Sequence, residues 1–232
     1  MAAQSVASRS RPPHRPDTDD ALLSRALEFS HWARNNVRVI VIAAVIAVVV
    51  VGGLLYYRTY QADRMERAAT EYMQLEQTAA GNPALAQREL ESFATRYDGT
   101  PYADEARVVL AQIHLQAGRA QEAIAAAQPV AADIAGSPVG PQAALLLGAA
   151  QEAAGDPEAA IRTYLRVADE ANLSFRRIEA LSAAALLRSD AGDFAGAAEL
   201  YGRAAQLSEE GSPERSLYEM RMAEARARAE AS

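Results

Sequence analysis

An uninterrupted apolar run near the N-terminus dominates the hydrophobic pattern of this chain. From Val39 to Leu55 it reads VIVIAAVIAVVVVGGLL, seventeen residues without a charged or polar side chain, between Arg38 and Tyr56. Twelve of these residues are Val, Ile or Leu, and together they favour membrane insertion by about 4 to 7 kcal/mol. We therefore predict one transmembrane helix over Val37–Tyr57, in contact with the lipid bilayer.

Two other interpretations of this run are weaker. A buried β-strand fits the β-branched composition, but ordinary strands are only about five or six residues long. A cleavable signal peptide fits poorly because a long polar tail precedes the run, the run exceeds the usual apolar region, and no Ala-x-Ala cleavage site follows it. A retained signal anchor agrees better with all three observations.

The arginines closest to the run do not set its orientation, since three lie on each side of it. Over longer segments the ratio of arginine to acidic residues differs between the two sides of the run. The tail through Arg38 has six arginines against four acidic residues, and the chain from Arg58 onward has seventeen against twenty-six. Because positively charged short segments stay in the cytoplasm, we predict a cytoplasmic N-terminus and an extracytoplasmic C-terminal domain.

The N-terminal tail divides into two segments. Residues 1–16 are rich in Ser, Arg and Pro and have no hydrophobic periodicity, which predicts a disordered arm. Residues 17–36 begin with acidic residues suited to a helix start and continue with apolar positions at helical spacing. We predict a juxtamembrane amphipathic helix there, which either docks a partner or is a passive anchor in the membrane interface.

Beyond the membrane segment, the pattern repeats every thirty-seven residues. Four glycines share this register and an alanine follows each after five residues: Gly81, Gly118, Gly155 and Gly192, with Ala86, Ala123, Ala160 and Ala197. Such a glycine ends a helix where a left-handed backbone is needed, and Asp156-Pro157 supplies an N-cap and a first-turn proline for the next helix. Each unit should be a helical hairpin, and stacking buries a face that no single hairpin can bury.

These signals predict an all-α fold, in which one transmembrane helix is followed by a solenoid of helical hairpins. Residues 37–57 span the bilayer, residues 58–80 continue as helix into the repeats, and residues 81–232 form the repeat domain, with a capping helix after Ser212-Pro213. The predicted helices span residues 37–79, 83–97, 101–117, 119–134, 141–154, 157–171, 174–190, 193–209 and 213–230.

The amino-acid composition excludes several kinds of catalytic and metal-binding site. All 23 basic residues are arginine and cysteine is absent, which excludes a Schiff-base lysine, a phosphate-loop lysine, a thiol nucleophile and a cysteine metal site. His14, His31 and His114 each lack a second ligand at metal-binding spacing. The acidic repeat region lacks the clustered positive surface that nucleic acid requires. We predict a non-enzymatic protein with no cofactor, metal, nucleic acid or small-molecule substrate.

Two units carry the best-defined pattern: Leu147-Gly148, Ala160 and Tyr164 in one, and Gly192-Asp193-Phe194, Ala197 and Tyr201 in the next. This pattern resembles the tetratricopeptide repeat, whose usual period is thirty-four residues. The resemblance implies that the first helix of each unit lines a concave groove that binds proteins. By register, the inward polar positions, which would favour polar or basic peptide segments, are Glu105, Gln112, Gln116, Gln142, Glu152, Glu179 and Ser182.

The order of segments over nearly the whole chain is also similar to the YfgM-like family of ancillary SecYEG translocon subunits. The likeness lies in a juxtamembrane helix (DDALLSRALEFSHWARNN), an anchor ending in an aromatic-arginine step (LLYYRTYQADRMERAATEYMQLE) and repeats opening with FATRYDGTPYADEARVVLAQIHLQAGRAQEA. It implies a single-pass protein of the bacterial inner (plasma) membrane. Its periplasmic repeats would bind translocon subunits, periplasmic chaperones or client peptides.

Two function classes stay open on the sequence. One is a membrane-anchored adaptor for protein–protein interaction near the Sec translocon. The other is a repeat scaffold in another envelope assembly, such as cytochrome maturation, division or polysaccharide export machinery, and the fold alone does not separate the two. An anchored hydrolase is disfavoured because no nucleophile, base and orienting group recur at usable spacing.

Overall fold

The structure of the protein, a computed structural model, describes Arg34 and residues 36–79 and 83–232. The predicted arm over residues 1–16, nearly all of the predicted juxtamembrane helix over residues 17–36, and the first repeat glycine, Gly81, lie outside the described residues. The chain divides after Gln61 into two compact units, each of which is taken by itself below.

Throughout the described ranges, regular secondary structure is α-helical, which confirms the predicted all-α fold. The helices are α1 (Val37–Ala79), α2 (Pro83–Arg96), α3 (Pro101–Gln116), α4 (Ala120–Ala131), α5 (Gly140–Ala153), α6 (Pro157–Glu170), α7 (Ser174–Asp190), α8 (Phe194–Leu207) and α9 (Pro213–Ala231). Their ends agree with the predicted ranges to within three residues.

The largest difference lies at the end of α4, which stops at Ala131 although the sequence pattern continues to residue 134. The carboxylate of Asp133 accepts a hydrogen bond from the backbone N–H of Gly136 at 2.9 Å. A turn closed by an aspartate side chain gives the backbone an alternative to further helical bonds. The chain therefore leaves the helix at this point and turns towards α5.

In the first unit, α1 contains the predicted apolar run. The Val, Ile and Leu side chains between Val37 and Leu55 are all exposed, so no part of the described chain covers them. This helix is long enough and apolar enough to cross a membrane. Tyr56, Tyr57 and Tyr60 follow the run and are exposed as well, and aromatic side chains of this kind favour the level of lipid headgroups.

The second unit is a stack of helical hairpins. From α2 to α9, each helix packs against the next one along the chain, and α5 also contacts both α3 and α7. The first helices of successive hairpins, α3, α5 and α7, therefore lie side by side in one layer, and the second helices, α4, α6 and α8, form the other layer.

The turn inside each hairpin uses the same glycine motif. Gly155 has a φ of +82°, its N–H donates to the carbonyl of Glu152, and the N–H of Asp156 donates to the carbonyl of Gln151, both at 2.9 Å. These two bonds satisfy the last carbonyls of α5 and define a Schellman motif, in which the glycine takes the left-handed conformation without a Cβ penalty. Gly118 and Gly192 show the same pattern of bonds, so three members of the predicted glycine column are confirmed.

A side-chain cap starts the next helix directly after two of these glycines. The carboxylate of Asp156 accepts a hydrogen bond from the N–H of Ala159 at 2.9 Å, and Pro157 occupies the first turn of α6. Asp193 caps α8 in the same way. Ser212 caps α9 through the N–H of Arg215 at 3.1 Å. Because glycine ends one helix and aspartate caps the next, the connection between these paired helices is only a few residues long.

Small residues form much of the core between the two layers. The repeated alanines after each glycine, Ala86, Ala123, Ala160 and Ala197, are no more than 1% exposed. Alanine at the crossing point lets helix axes approach closely. The remaining space is filled by a few large side chains, of which Phe93, Ile134, Leu181 and Val167 are the largest that are fully buried.

Candidate binding groove

The helix α5 has a buried side and a half-exposed side. Leu147 lies in the repeat core, whereas Gln142, Leu145, Leu146 and Ala149 are only partly buried. Spacings of three, four and seven residues from Gln142 place these four side chains on one side of the helix. Because α6 covers the other side, this side forms the centre of a groove.

The groove lies across the first helices of three successive hairpins. Gln112 of α3 borders it on one side, and Arg176, Glu179 and Ala183 of α7 border it on the other. Its volume is about 310 Å³, which is at the lower end of the range of roughly 300 to 1,000 Å³ for small-molecule pockets. A groove of this size suits a few side chains of a bound segment better than a large cofactor.

Tyr164 of α6 forms part of the floor of the groove. Its ring lies against Gly148 of α5, where an added Cβ atom would be only 2.7 Å from the ring carbon Cζ. Burial first, and then the carboxylates of Glu152 and Glu179, raise the pKa of the Tyr164 phenol well above its ordinary value of 10.0. The residue is 4% exposed and forms no hydrogen bond within the described residues. The groove therefore has a neutral phenol at its floor, and its charged lining residues are Glu179 and Arg176.

Residues 30–227 match the family model described as a tetratricopeptide repeat-like domain. The chain belongs to this family. No curated protein matches the sequence. Repeats of this family are protein–protein interaction scaffolds that are generally non-catalytic, and stacked repeats present extended concave surfaces for binding.

In this tetratricopeptide repeat-like domain, the structure brings together three of the seven predicted binding residues. Gln112, Gln142 and Glu179 line the groove. Glu152 is exposed one helical turn beyond Gly148, and its charge acts on the Tyr164 phenol. Gln116, Glu105 and Ser182 are not among the residues that line this groove; Gln116 is exposed at the end of α3, and the other two are half-buried.

The sequence interpretation missed several groove residues. Leu145 and Leu146 carry a signal that could have identified them, since they follow Gln142 at helical spacing. Arg176 lies three residues before Glu179 and forms an ion pair with it, with 3.0 Å between Nη1 and Oε2. Tyr164 was recognised only as a repeat position. It belongs to a second helix, which the register argument assigned to the opposite layer.

A second cavity continues along the same layer between α7 and α9. It has a volume of about 200 Å³ and includes Leu186, Arg221 and Arg228. The guanidinium of Arg221 lies 5.9 Å from the centre of the Tyr201 ring, and that of Arg228 lies 5.8 Å from the centre of the Phe194 ring. This end of the layer therefore has two arginines stacked on aromatic rings, and the acidic residues Asp190 and Glu224 line the same cavity.

His114 is used for packing in the repeat domain. It is 7% exposed, and its Nδ1 accepts a hydrogen bond from Nε of Arg119 at 3.0 Å. Arg119 also donates to the side-chain oxygen of Gln87 at 2.8 Å, which links α2 to the turn between α3 and α4. Within the described residues no group of three His, Asp or Glu side chains is close enough together to hold a metal ion.

Proposed function

We propose that this protein is a membrane-anchored adaptor that binds segments of other proteins in the groove formed by α3, α5 and α7, and that it is not an enzyme. The single observation that carries the proposal is the groove itself, which combines an apolar centre with polar side chains on three neighbouring helices. No catalytic step is needed to explain any of these side chains.

Gln112 and Gln142 are suited to hold a peptide backbone. Neither side chain forms a hydrogen bond with another described residue. A glutamine carboxamide donates two hydrogen bonds and accepts others, so it can bind both the N–H and the carbonyl of an extended chain. Leu145, Leu146 and Ala149 line the same groove. Their apolar contact with the bound segment supplies most of the binding free energy.

We also propose that this adaptor is anchored in the bacterial inner membrane, with the N-terminus in the cytoplasm and the repeats in the periplasm. The balance of arginine over acidic residues before Arg38 supports this orientation. Because the chain has no cysteine, a Ser216→Cys variant carries a single thiol on exposed α9. A membrane-impermeant maleimide should label it in spheroplasts without lysis. Labelling only after lysis would reverse the orientation.

The partners that we propose are translocon subunits, periplasmic chaperones or secreted clients. The support is the resemblance of the segment order to the YfgM-like family. A photo-crosslinking amino acid at Gln142 tests this assignment in native membranes, and Arg162 is a matched position because it is exposed on α6 and lies outside the groove.

We expect the probe at position 142 to capture Sec subunits, periplasmic chaperones or secreted proteins, and the probe at position 162 to capture none of them. Capture of a different envelope complex, such as a cytochrome maturation or polysaccharide export machine, would favour the scaffold function instead. Equal products from both positions would refute binding in the groove.

A further inference from the structure

We propose that the outer face of α9 binds a second copy of this chain, with the two α9 helices antiparallel across a two-fold axis. The outer face is the exposed side of α9 turned away from α8, and it consists of Leu217, Met220, Ala223, Glu224 and Ala227, with Arg221 along one edge. None of these residues lines the groove between α3, α5 and α7. The inference therefore goes beyond the proposed function and concerns a different surface.

The last helix of the repeat domain has large apolar side chains on this outer face. Its inner side packs against α8 and buries Tyr218 and Ala225. On the other side, Leu217 is 41% exposed and Met220 is 61% exposed, and Ala227 is exposed two turns after Met220. The end of a solenoid ordinarily has a polar outer face, which keeps the protein soluble. An apolar face at this position indicates a contact with another protein surface.

The distribution of charge favours a second copy of the chain as the partner. From Arg58 onward the chain has seventeen arginines and twenty-six acidic residues, so two copies repel each other over most of their surface. Residues 213–231, which form α9, have four arginines and four glutamates. The helix α9 is thus a neutral region of an acidic domain, where two copies can meet without net repulsion.

An antiparallel arrangement also pairs opposite charges and unequal side chains across the axis. When the axis passes between residues 222 and 223, Arg221 of one copy lies level with Glu224 of the other, and the symmetry repeats this pair. The same alignment places Leu217 beside Ala227, so a large side chain of one copy meets a small one of the other. A parallel pair would place Leu217 against Leu217 and Ala227 against Ala227, which would leave the two helices unevenly spaced.

The charged groups that make these contacts are accessible. Within the described residues Arg221 forms no ion pair, and its guanidinium lies over the ring of Tyr201, 5.9 Å from the ring centre. Glu224 is exposed and accepts a hydrogen bond from Nη2 of Arg228 through Oε1, at 2.7 Å. An ionised carboxylate has about four acceptor positions. Its Oε2 can therefore accept hydrogen bonds from Arg221 of the second copy.

Disulfide cross-linking of the full-length protein in its native membrane tests this pairing, because the chain has no cysteine of its own. In the antiparallel pair the two copies of position 223 are offset by about 1.5 Å along the helices, and the two copies of position 216 by about 20 Å. A disulfide requires Cα atoms within about 7 Å of each other. Ser216→Cys is the matched control, because Ser216 is also exposed on α9.

We expect mild oxidation to convert Ala223→Cys into a cross-linked species with the mass of two chains and to leave Ser216→Cys uncross-linked. Equal cross-linking at the two positions would contradict the antiparallel pair. A cross-link from position 223 to a different protein, or none at all, would also overturn the inference.

Charge reversal in the Ala223→Cys background tests the contact between Arg221 and Glu224. Arg221→Glu alone and Glu224→Arg alone should each give about ten-fold less cross-linked dimer, because both contacts across the axis then join like charges. A mixture of the two variants, expressed together with different affinity tags, should form mixed dimers at the level of the unreversed protein. In the mixed dimer every contact across the axis again joins opposite charges.

Both reversed variants should keep the thermal unfolding temperature of the unreversed protein, since Arg221 and Glu224 are exposed. Restoration in the mixture is specific to a contact between two chains, because neither variant regains a contact within its own chain. Dimers that form equally well with either reversal alone, or that the mixture fails to restore, would show that these charges do not meet across an axis and would overturn the inference.

Discussion

Arginine side chains fix the junction between α2 and α3. Nη2 of Arg64 donates to the carbonyl oxygens of Arg96 and Asp98, at 3.1 and 2.9 Å. The guanidinium of Arg107 binds the carboxylate of Asp98 and, at 3.3 Å, that of Asp104. The hydrogen bond from Arg107, followed by its positive charge, holds the pKa of the Asp98 carboxyl below its ordinary value. Single side chains thus position the start of α3.

We expect Asp98→Asn to lower the free energy of unfolding by about 0.5 kcal/mol near neutral pH, a small value because solvent screens exposed ion pairs. The pKa of Asp98 is lowered in the folded protein, so the pair contributes fully above the ordinary value of 3.8 and is lost as the pH falls through the lower folded value. Urea unfolding in dodecyl maltoside, followed by circular dichroism, should therefore show a smaller difference at about pH 2 than at about pH 7.

The Arg107→Gln background provides the control for this measurement. Asp98→Asn should have almost no further effect there, because the charged partner has already been removed. An equal loss at both pH values would contradict the ion-pair explanation and would indicate that Asp98 acts through the local backbone conformation.

Among the helices, the contact between α5 and α6 depends on the absence of a side chain at Gly148. The ring of Tyr164 occupies the space where a Cβ atom would lie. Both residues are buried, so neither the ring nor the helix has free space into which to move. The Leu-Gly step that the sequence analysis associated with the repeat therefore has a direct packing role.

Gly148→Ala should destabilise the repeat domain by about 1 to 3 kcal/mol through overpacking, although alanine is the better helix former by about 1 kcal/mol. Gly202 in α8 is the matched position, because its added Cβ would meet only the sulfur of Met222, at 3.1 Å. A flexible methionine can move, so Gly202→Ala should be neutral or slightly stabilising. Thermal unfolding of the two variants should show opposite or clearly unequal shifts, and equal shifts would contradict this account.

Over the whole repeat domain, stability depends on contacts between neighbouring hairpins. The helix α9 covers the last hairpin by burying Tyr218 and Ala225, and the ring of Tyr218 lies 6.5 Å from that of Tyr201. In a solenoid each unit contacts only its immediate neighbours. The loss of one unit should therefore lower the stability of the adjacent unit more than that of distant units.

Deletion of residues 213–232 should therefore remove amide-exchange protection mainly from α7 and α8 and affect α3 and α4 much less. Deletion of residues 229–232 is the control, because it leaves Tyr218, Ala225 and Arg228 in place. Hydrogen exchange of the full-length and shortened proteins, detected by mass spectrometry, measures the effect helix by helix. A uniform loss of protection would show that the domain unfolds as one cooperative unit.

The positions of the helices could be predicted because their signals are local. The apolar run of α1, the glycines of the Schellman motifs and the Asp156-Pro157 cap each act within a few residues of chain. The end of α4 was predicted three residues too late because the side chain of Asp133 competes with the helix. That competition depends on backbone geometry, which hydrophobic periodicity does not report.

What the sequence by itself determined is therefore a helix long and apolar enough to cross a membrane, the hairpin period and the polar face of each first helix. Tertiary structure alone decided which of those polar residues meet. Gln112, Gln142 and Glu179 share one groove because the packing of core alanines sets how α3, α5 and α7 are rotated about their axes. Tyr164 reaches the same groove from the other layer because Gly148 leaves room for its ring, and such a contact between two helices has no counterpart in the periodicity of either one.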